Sequence, residues 1–313
     1  MSNMKAVRIH TYGGSDVLSY ENAPRPVPAE GEVLIRVYAT TVNPYDCAVR
    51  AGYMTGYFKP SFPFILGTDV SGVIEEVGEG VTSFSPGEAV YTRAGVSRDG
   101  AYAEYVIALA ADVSAKPQSL DHIRSAALPH VTLTAWQALF GLANLEKGQT
   151  VLIHGAAGGV GHVAVQLAKS RGAKVIGTAS ENYDLLEKLG VDQAIDYATT
   201  PFENIVHDVD VVLDTVGGDT QQRSWSTLKR GGILVSTIQP PSEEAAAVHG
   251  VRQAMVFSTP PIAQTLSEVA RMADSGQIKP VVSKVLPLQD VQRAHQIVEA
   301  KHARGKVVLQ VTE

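Results

Sequence analysis

Cysteine is almost absent from this sequence, and its scarcity excludes two kinds of structure. The chain has 313 residues and one cysteine, Cys47. A single cysteine cannot form a disulfide within the chain, and a zinc lobe held by four cysteines is equally impossible. Cys47 follows Asp46 and has no adjacent base or cation, so we interpret it as a packing residue rather than a nucleophile.

An excess of positive charge is also lacking. The chain has 26 Lys and Arg against 32 Asp and Glu, which gives a formal net charge of −6. Recognition of nucleic acid needs a surplus of Lys and Arg on one face, so we predict no nucleic-acid partner. The overall balance still allows a local pocket for one phosphate group.

Long apolar runs and targeting signals are the third absence. Residues 1–8 show no signal architecture, and no uncharged apolar stretch approaches the roughly 20 residues that span a bilayer. Together with the cysteine usage, which fits a reducing compartment, this predicts a cytoplasmic protein with no membrane partner.

The chain is longer than the roughly 250–300 residues at which single cores stop growing, which predicts two domains. Apolar residues make up 45% of the chain, as in globular proteins. The first hundred residues are punctuated by Gly and Pro. Short strands are predicted there over 32–40, 70–77, 87–91 and 101–106, a pattern typical of a small barrel-like all-β domain.

The pattern changes near residue 122, where strands and helices begin to alternate. Helices are predicted over 122–128, 134–144, 160–171, 185–189 and 221–228. Strands are predicted over 150–154, 174–178, 209–214 and 232–237. Such alternation indicates an α/β fold with a doubly wound parallel sheet. Residues 305–311 predict a last strand, whose pairing partner the pattern leaves open.

The most informative segment is VLIHGAAGGVG at 151–161, which combines a strand, a glycine-rich turn and a helix start. This is the context that a dinucleotide fingerprint requires, with Ala156, Gly158 and Gly161 at its three glycine positions. Free amides at the helix start, from about Gly159 to Gly161, would face a pyrophosphate. The alternative, a tight turn that binds nothing, is disfavoured by the flanking strand and helix.

The end of the next strand bears on which dinucleotide binds. An NAD-selective site usually has Asp or Glu there, whereas this chain has Ser180. A hydroxyl can donate to a 2′-phosphate, which favours NADP(H). Glu181 follows, however, and no Lys or Arg lies beside it, so use of NADH stays open. Ser180 could instead cap the following helix.

Several segments together carry a family resemblance. They are NPYD at 43–46, RAG at 50–52, LGTDVSGV at 66–73, VGEGVTSFSPGEAV at 77–90, LTAW at 133–136, the turn at 155–161, GVDQAIDY at 190–197, DTVGG at 214–218 and HARGKVV at 302–308. The pattern resembles the zinc-independent, zeta-crystallin-like quinone oxidoreductases of the medium-chain dehydrogenase/reductase superfamily, over essentially the whole chain. The resemblance implies a GroES-like β-barrel domain over 1–124, completed by 282–313, a Rossmann domain over 125–281, and an active site in the cleft between them.

Zinc-dependent members of the superfamily hold a catalytic metal, and this chain departs from their ligand pattern. The ligand positions are occupied by Asn43, Thr68 and His130. Zinc needs about three ligands with Cys, His or carboxylate donors. Asp46, Asp69 and His130 can be imagined as a set, but the amide and the hydroxyl fill the usual places, so we predict no metal.

Without a metal there is no Lewis acid to polarise an alcohol or aldehyde. The predicted reaction is therefore direct hydride transfer from NADPH to an acceptor that is already electrophilic, a quinone or a carbonyl-conjugated alkene. Two alternatives stay open: an enoyl- or haloacrylate-type alkene reductase, and a low-turnover NADP(H)-binding sensor or structural protein.

The resemblance implies that Asn43 and Asp46 lie beside the nicotinamide and its ribose, although Asp46 could simply be a helix N-cap. Tyr45, Tyr53 and His130 are candidates for substrate contact or proton donation. A tyrosine hydroxyl donates hydrogen bonds and a histidine titrates near neutrality. A lone histidine is nevertheless more often structural.

Further residues are implied to bind the cofactor. They are Thr134 towards the nicotinamide, Ala157, Gly158, Gly159 and Val160 at the pyrophosphate, Ser180 and Tyr197 at the 2′-phosphate, Val216, Gly217, Ile238 and Phe257 along the adenosine and nicotinamide-ribose path, and Lys306 near the cofactor. The alternatives are a core helix threonine for Thr134, simple packing for the apolar and glycine positions, and a surface lysine for Lys306.

The resemblance also implies a homodimer or homotetramer, because Rossmann sheets of this kind often pair across an edge strand. Residues 256–258 are the candidate edge. The following TPP at 259–261 would block further pairing.

Overall fold

The computed structural model describes residues 2–180, 183–257, 259–300 and 304–312. The chain divides into two compact units. Unit 1 comprises Met1–His130, Pro261–Gly276 and Pro280–Glu313, and unit 2 comprises Val131–Pro260 and Gln277–Lys279. These limits differ from the predicted domains chiefly at Pro261–Gly276, which belongs to unit 1. The domain limits at 124/125 and 281/282 therefore stay predictions.

The secondary structure alternates as follows along the chain. The strands are β1 (Asn3–Ile9), β2 (Ser19–Pro24), β3 (Glu32–Val42), β4 (Phe64–Ile65), β5 (Asp69–Val77), β6 (Ala89–Arg93), β7 (Tyr105–Leu109), β8 (Ser114–Ala115), β9 (Thr150–Ile153), β10 (Lys174–Ala179), β11 (Gln193–Asp196), β12 (Val209–Asp214), β13 (Leu228–Ser236), β14 (Arg252–Met255), β15 (Val282–Pro287) and β16 (Lys306–Gln310). The helices are α1 (Pro44–Arg50), α2 (His122–Ala126), α3 (Pro129–Trp136), α4 (Gly159–Ser170), α5 (Tyr183–Leu189), α6 (Gly218–Ser224), α7 (Glu243–His249), α8 (Ile262–Asp274) and α9 (Val291–Glu299).

Unit 1 is built mainly from antiparallel strands. Its larger sheet has the order β15-β16-β3-β5-β6-β8, with β7 also paired to β3, and a smaller sheet has the order β2-β1-β4. Along β3 the side chains of Val33, Ile35 and Val37 are fully buried and pack with Val70 and Ile74 of β5. The period of two in β3 thus supplies one wall of the unit 1 core.

The last strand, whose partner the sequence pattern left open, belongs to this larger sheet. β16 pairs antiparallel with β3, with Val307 opposite Val42, and parallel with β15. This pairing brings Lys306, at the start of β16, to the end of β3, where Asn43 follows. Of the resembling segment at 302–308, residues 302 and 303 lie outside the described residues.

Unit 2 contains a parallel sheet with the order β11-β10-β9-β12-β13-β14. The chain runs outward from β9 in one direction and from β12 in the other, so the order reverses between these two strands. The central side chains Leu152, Val212 and Leu234 are fully buried. The predicted fold class, a doubly wound parallel sheet together with a GroES-like β-domain, is confirmed. In such sheets ligands bind at the carboxyl ends of the strands.

Several element predictions were wrong in their limits; the strands predicted over 87–91 and 232–237, for example, are Ala89–Arg93 and Leu228–Ser236. The strand predicted over 101–106 begins only at Tyr105, because the N–H groups of Ala101 and Tyr102 donate instead to the carbonyls of Gly67 and Leu66. The helix predicted over 134–144 is α3 followed by a π-helical stretch, Gln137–Leu142. The helix predicted over 221–228 begins earlier, and Leu228 is already in β13.

The edge strand predicted over 256–258 was also misplaced. The outermost strand of the unit 2 sheet is β14, which ends at Met255. Val256 and Phe257 follow it, and Ser258 lies outside the described residues. Over the described ranges, no helix combines the length and the apolar character needed to cross a bilayer.

Candidate functional site

The start of helix α1 positions two of the candidate catalytic residues. Asn43 is the N-cap, with extended backbone angles, and Pro44 opens the helix. The Asn43 N–H donates to Asp46 Oδ2 at 2.8 Å. The two residues belong to the same N-P-x-D segment, so this capping contact is encoded locally in the sequence. The alternative that Asp46 is itself the N-cap was wrong, because Asp46 occupies the third helical position and accepts from the cap.

Five side chains of unit 1 form a buried network that we call the polar cluster: Thr41, Asn43, Thr68, Asp69 and Lys306. Asn43 Nδ2 donates to Asp69 Oδ2 at 2.9 Å and to Thr68 Oγ1 at 3.3 Å. The Lys306 ammonium donates to Asn43 Oδ1 and lies 3.3 Å from Asp69 Oδ2. Thr41 Oγ1 also donates to Asp69 Oδ2. The Asn43 amide is therefore held at both its oxygen and its nitrogen.

Lys306 is buried, with 3% of its side chain exposed. The alternative of a surface lysine was therefore wrong. Its burial follows from the β16–β3 pairing, which places the start of β16 against the end of β3. A lysine is rarely buried without a partner, and here Asn43 and Asp69 are its partners.

The two buried aspartates have opposite pKa shifts. Burial raises the pKa of Asp46 to about 7, against the opposing effect of the Asn43 N–H. Burial also acts to raise the pKa of Asp69, but the charge of Lys306, together with His130 and the hydrogen bonds from Thr41 and Asn43, holds it below its ordinary value. At neutral pH Asp69 is ionised, while Asp46 exchanges between its protonated and ionised forms.

His130 and Tyr45 lie next to the polar cluster. The backbone N–H of His130 donates to Asp69 Oδ1 at 2.7 Å, and its Nδ1 is 3.4 Å from Thr68 Oγ1. Burial lowers the pKa of His130 to about 3, so the expectation that it titrates near neutrality was wrong. The Tyr45 ring centroid is 6.3 Å from that of His130, and burial raises the pKa of the Tyr45 hydroxyl. Tyr45 therefore keeps its proton and can donate it in a hydrogen bond.

Tyr53 is not brought into the polar cluster. It follows α1, its N–H donates to the Ala48 carbonyl, and its side chain is 82% exposed. Its part in the site stays a prediction.

The residues at the metal-ligand positions do not fit zinc. Asn43 and Thr68 offer an amide and a hydroxyl, and the Lys306 ammonium already donates to the amide oxygen. Within the described part of the chain, no three His, Cys, Asp or Glu residues are grouped so that they could hold a metal ion. Zinc requires about three such donors, and a resident cation opposes a second one.

In unit 2, the glycine-rich turn follows β9. Gly155 has a φ of 65°, and a Cβ added to Gly161 would lie 2.1 Å from the Gly155 carbonyl oxygen, so only glycine fits there. The first hydrogen bond of α4 runs from His162 N to the Gly158 carbonyl. The N–H groups of Gly159, Val160 and Gly161 therefore precede the helical hydrogen-bond pattern and form an anion-binding helix start.

This turn fits a pyrophosphate. Gly158 caps α4 in an extended conformation, and Ala157 before it is buried. The predicted positions 157–160 are thus the last residue of the turn, the cap and the first helical residues. A ligand at the helix start meets backbone rather than side chains, which is what close approach by a phosphate requires.

Ser180 and Tyr197 meet at the ends of neighbouring strands. Ser180 follows β10 and Tyr197 follows β11, whose last residues Ala179 and Asp196 are paired. Their hydroxyl oxygens are 2.9 Å apart. The structure thus brings together two hydroxyls that the sequence separates by 17 positions. Residues 181 and 182, where a basic residue is missing, lie outside the described residues.

The predicted apolar positions follow the other strands of the same sheet. Val216 follows β12, Ile238 follows β13 and Phe257 follows β14, and their side chains are 50%, 49% and 69% exposed. Such exposure argues against simple packing as their only role. Gly217 has a φ of 77°, and a Cβ there would lie 3.0 Å from Ile238 Cγ2. Thr134 lies in α3 and is partly buried.

Two residues, one in the polar cluster and one beside it, were missed from the sequence. Thr41 lies in β3 and Arg93 ends β6, directly opposite Asp69 of β5. A charged residue at the end of a short strand was the available signal for Arg93. Its meaning depends on the strand register, which no local pattern reveals.

Cys47 is a packing residue, as interpreted from the sequence. It is buried, and its Sγ lies 3.3 Å from Nδ1 of the buried His295. Burial raises the pKa of the thiol to about 12, so it stays protonated and unreactive.

Comparisons with known proteins agree along the whole chain. Residues 29–118 match the alcohol dehydrogenase GroES-like domain, and residues 189–309 match the zinc-binding dehydrogenase domain. A protein of Danio rerio named NAD(P)H oxidoreductase RTN4IP1, mitochondrial, is 34% identical, covering 99% of this chain and 92% of that protein. A quinone oxidoreductase of Sus scrofa is 32% identical, with coverage of 98% and 97%.

Solved structures are similar over the same range. The quinone oxidoreductase from Coxiella burnetii superposes with a TM-score of 0.91 at 33% identity, covering 99% of this chain and 100% of that one. A mycobacterial protein solved in complex with NADPH superposes with a TM-score of 0.88 at 31% identity, with coverage of 98% and 100%.

Proposed function

Because the chain belongs to the quinone oxidoreductase family of the medium-chain dehydrogenase/reductase superfamily, we propose that it reduces quinones or carbonyl-conjugated alkenes with NADPH, by direct hydride transfer and without a metal. The observation that carries the proposal is the contact between Lys306 and Asn43. It puts an ammonium group among the residues that a catalytic zinc would need.

The features of unit 2 support a dinucleotide cofactor. The helix start at 159–161 suits the pyrophosphate of a dinucleotide. The exposed side chains of Val216, Ile238 and Phe257 suit its adenosine and nicotinamide-ribose parts. The hydroxyl pair of Ser180 and Tyr197 suits a 2′-phosphate, which both groups can bind as donors. The mycobacterial structure contains NADPH, and the Danio rerio protein is named for NAD(P)H, which also supports NADP(H).

NADPH, when bound, supplies a hydride to the electrophilic carbon of the acceptor. Lys306 and Asp69 hold the Asn43 amide in one orientation, so its position costs no reorganisation during the reaction. Tyr45 retains its proton and can donate a hydrogen bond to an acceptor oxygen. Asp46, with a pKa of about 7, can take up or release a proton at neutral pH.

The experiment that tests the proposal is NADPH oxidation by purified protein, dialysed against chelator, with a panel of quinones and conjugated enones and with NADH as the comparison. Turnover with NADPH, in samples whose zinc content is far below one atom per chain, is the expected result. Activity that returns only on addition of zinc would show that the polar cluster was misinterpreted.

The same assay separates the remaining alternatives. A preference for enones over quinones would favour an enoyl-type alkene reductase. Tight NADPH binding without turnover of any acceptor would favour the sensor or structural protein.

Two further properties belong to the proposal. We expect a homodimer or homotetramer, because β14 is the outermost strand of the unit 2 sheet and Arg252–Met255 leaves one side for pairing. Light scattering after gel filtration measures this directly.

A cytoplasmic location is proposed from the sequence alone, and fractionation of cells tests it against a mitochondrial location, which the name of the Danio rerio relative gives for that protein.

A further inference from the structure

Arg93 is the last residue of β6 and lies directly opposite Asp69 in the β5–β6 register. Side chains of directly opposed residues project from the same face of an antiparallel sheet, about 4.5–5.5 Å apart at Cβ. Asp69 points into the polar cluster, so Arg93 also extends from the face that carries the cluster. Arg93 is partly buried, its Nε is shielded from solvent, and burial lowers the pKa of the guanidinium.

Among the described residues, none forms a hydrogen bond or an ion pair with the Arg93 guanidinium. Its Nε is buried and makes no hydrogen bond, and across the described ranges it forms neither a hydrogen bond nor an ion pair within 4.0 Å. Other shielded arginines of unit 1 are paired: Arg50 with Glu299 at 2.5 Å and Arg25 with Glu76 at 2.7 Å. A buried polar group without a partner is unusual and costly in a native protein.

The Asp69 carboxylate, which lies opposite Arg93, already accepts hydrogen bonds from other residues. Asp69 Oδ2 accepts from Thr41, Asn43 and Lys306, and Oδ1 accepts from the His130 backbone N–H. Asp69 is therefore hydrogen-bonded at both oxygens without Arg93, although the two residues are neighbours across the sheet.

The charges around the cluster leave Arg93 without a close ion pair. Lys306 and Asp69 neutralise one another. Among the described residues no carboxylate lies within 4.0 Å of the Arg93 guanidinium, although Asp69, Asp46 and Asp112 act on it as more distant charges. An anion that binds directly to the guanidinium would complete its pairing.

The guanidinium also lies near the candidate substrate contacts. After burial, the charge of Arg93 is the next largest influence on the pKa of both Tyr45 and His130. The Arg93 guanidinium is thus close enough to Tyr45 and His130 for its charge to act on both groups.

We propose that Arg93 binds a carboxylate of the substrate, so that the acceptor reduced by this protein is an electrophilic alkene or quinone that carries an acid group. A guanidinium matches a carboxylate with two parallel hydrogen bonds. In the alkene case, hydride from NADPH adds to one carbon and a proton from solvent to the other, NADPH becomes NADP⁺, and the carboxylate is unchanged. This inference rests on the proposed reductase function.

The test compares two acceptors with the same enone skeleton, one with a free carboxylate and one without its charge, 3-benzoylacrylate and its methyl ester, and each is assayed with wild type and Arg93→Gln. Loss of a charge-assisted hydrogen bond is worth about 1.5–3 kcal/mol, so kcat/KM for the acid should fall about 10- to 100-fold, mainly through KM. The value for the ester should change less than about threefold. Arg93→Lys should retain part of the preference for the acid. The matched control is Arg124→Gln, which removes an arginine that is 61% exposed and should change kcat/KM for neither the acid nor the ester.

Three results would overturn the inference. Equal losses for acid and ester would mean that Arg93 acts on the oxygen of the reacting carbonyl. A weaker affinity for NADPH in Arg93→Gln, measured by fluorescence titration, would assign the guanidinium to the cofactor. A melting temperature several degrees below wild type would give Arg93 a structural role, whereas removal of a partly buried charge without a hydrogen-bond partner should leave it unchanged or raise it.

Failure of the proposed function is distinguishable from failure of this inference. If wild type reduces no acceptor, calorimetric titration with 3-benzoylpropionate, which cannot be reduced, still tests Arg93. Binding of this acid but not of its methyl ester by wild type, lost in Arg93→Gln, would support the carboxylate site without any turnover. Equal binding of both by both proteins would contradict it.

Discussion

Lys306 and Asn43 are 263 positions apart in the chain, yet the Lys306 ammonium donates a hydrogen bond to Asn43 Oδ1 in the interior of unit 1. The same ammonium lies 3.3 Å from the fully buried carboxylate of Asp69. The strand β16 therefore supplies the cation that keeps the Asp69 carboxylate ionised and holds the Asn43 amide in place.

Lys306→Met should destabilise the protein strongly, because it leaves the Asp69 carboxylate buried without its cation. Breaking one half of a buried pair costs about 3–5 kcal/mol, and chemical denaturation measures the loss. The double variant Lys306→Met, Asp69→Asn should recover a large part of it, since the uncompensated charge is gone. Lys284→Met, which removes an exposed lysine of β15, is the control and should cost little. Equal stability of Lys306→Met and wild type would contradict the buried ion pair.

Asp46 should make stability depend on pH between about 4 and 7. Its pKa is raised from 3.8 to about 7, so the folded state binds more protons than the unfolded state in this window. Stability contributed at low pH is then lost as pH rises, by roughly 4 kcal/mol at most, until the folded pKa is passed. Histidines with lowered pKa values, such as His130, act in the opposite direction but are common to both proteins compared.

The measurement is the melting temperature of wild type and Asp46→Asn from pH 4 to pH 8. The melting temperature of Asp46→Asn should rise relative to that of wild type as pH rises to about 7. Above that pH the difference between the two should stay constant. Asp16→Asn, at an exposed aspartate, should show a difference that does not change with pH. A constant difference for Asp46→Asn as well would mean that the pKa of Asp46 is not raised.

Ser180→Asp should change the cofactor preference. A carboxylate at the end of β10 repels a 2′-phosphate and can accept from the ribose hydroxyls of NADH. We expect the ratio of kcat/KM for NADPH over NADH to fall about tenfold or more, equivalent to about 1.4 kcal/mol. Thr199→Asp adds the same charge at an exposed position near Tyr197 and serves as the control. An equal effect of both variants would reduce the result to long-range electrostatics.

Gly161→Ala should abolish dinucleotide binding and lower the melting temperature. Replacement of glycine by alanine normally stabilises a helix by up to about 1 kcal/mol, but here the new Cβ would lie 2.1 Å from the Gly155 carbonyl oxygen. Gly56→Ala is the control, because a Cβ there meets nothing within 4 Å. Titration of intrinsic fluorescence with NADPH measures binding. Unchanged binding by Gly161→Ala would mean that the turn does not need its close backbone approach.

Local patterns predicted the parts of the fold that local interactions determine. The alternation of strands and helices beyond residue 122 and the glycine turn at 155–161 each depend on residues within one or two turns of chain. Steric limits at glycine and the capping of free N–H groups act over this range, so their signals are present in short stretches of sequence.

Limits of elements were less predictable. β7 begins at Tyr105 rather than at 101 because Ala101 and Tyr102 donate to Leu66 and Gly67, which come from a distant part of the chain. β14 ends at Met255 rather than including Phe257. Where a strand begins or ends depends on the neighbour it pairs with, and a pattern of apolar residues does not name that neighbour.

The sequence by itself determined the α/β organisation, the position of the glycine-rich turn and the absence of cysteine ligands, because periodicity, glycine and residue counts are properties of the chain. Only the tertiary structure decided that Lys306 is buried on Asn43, that Asp46 and Asp69 have opposite pKa shifts and that Arg93 lacks a hydrogen-bond partner in the part of the chain that the structure describes. These properties arise from strand register and from the low polarity of a packed interior. Both come into being only when distant segments meet.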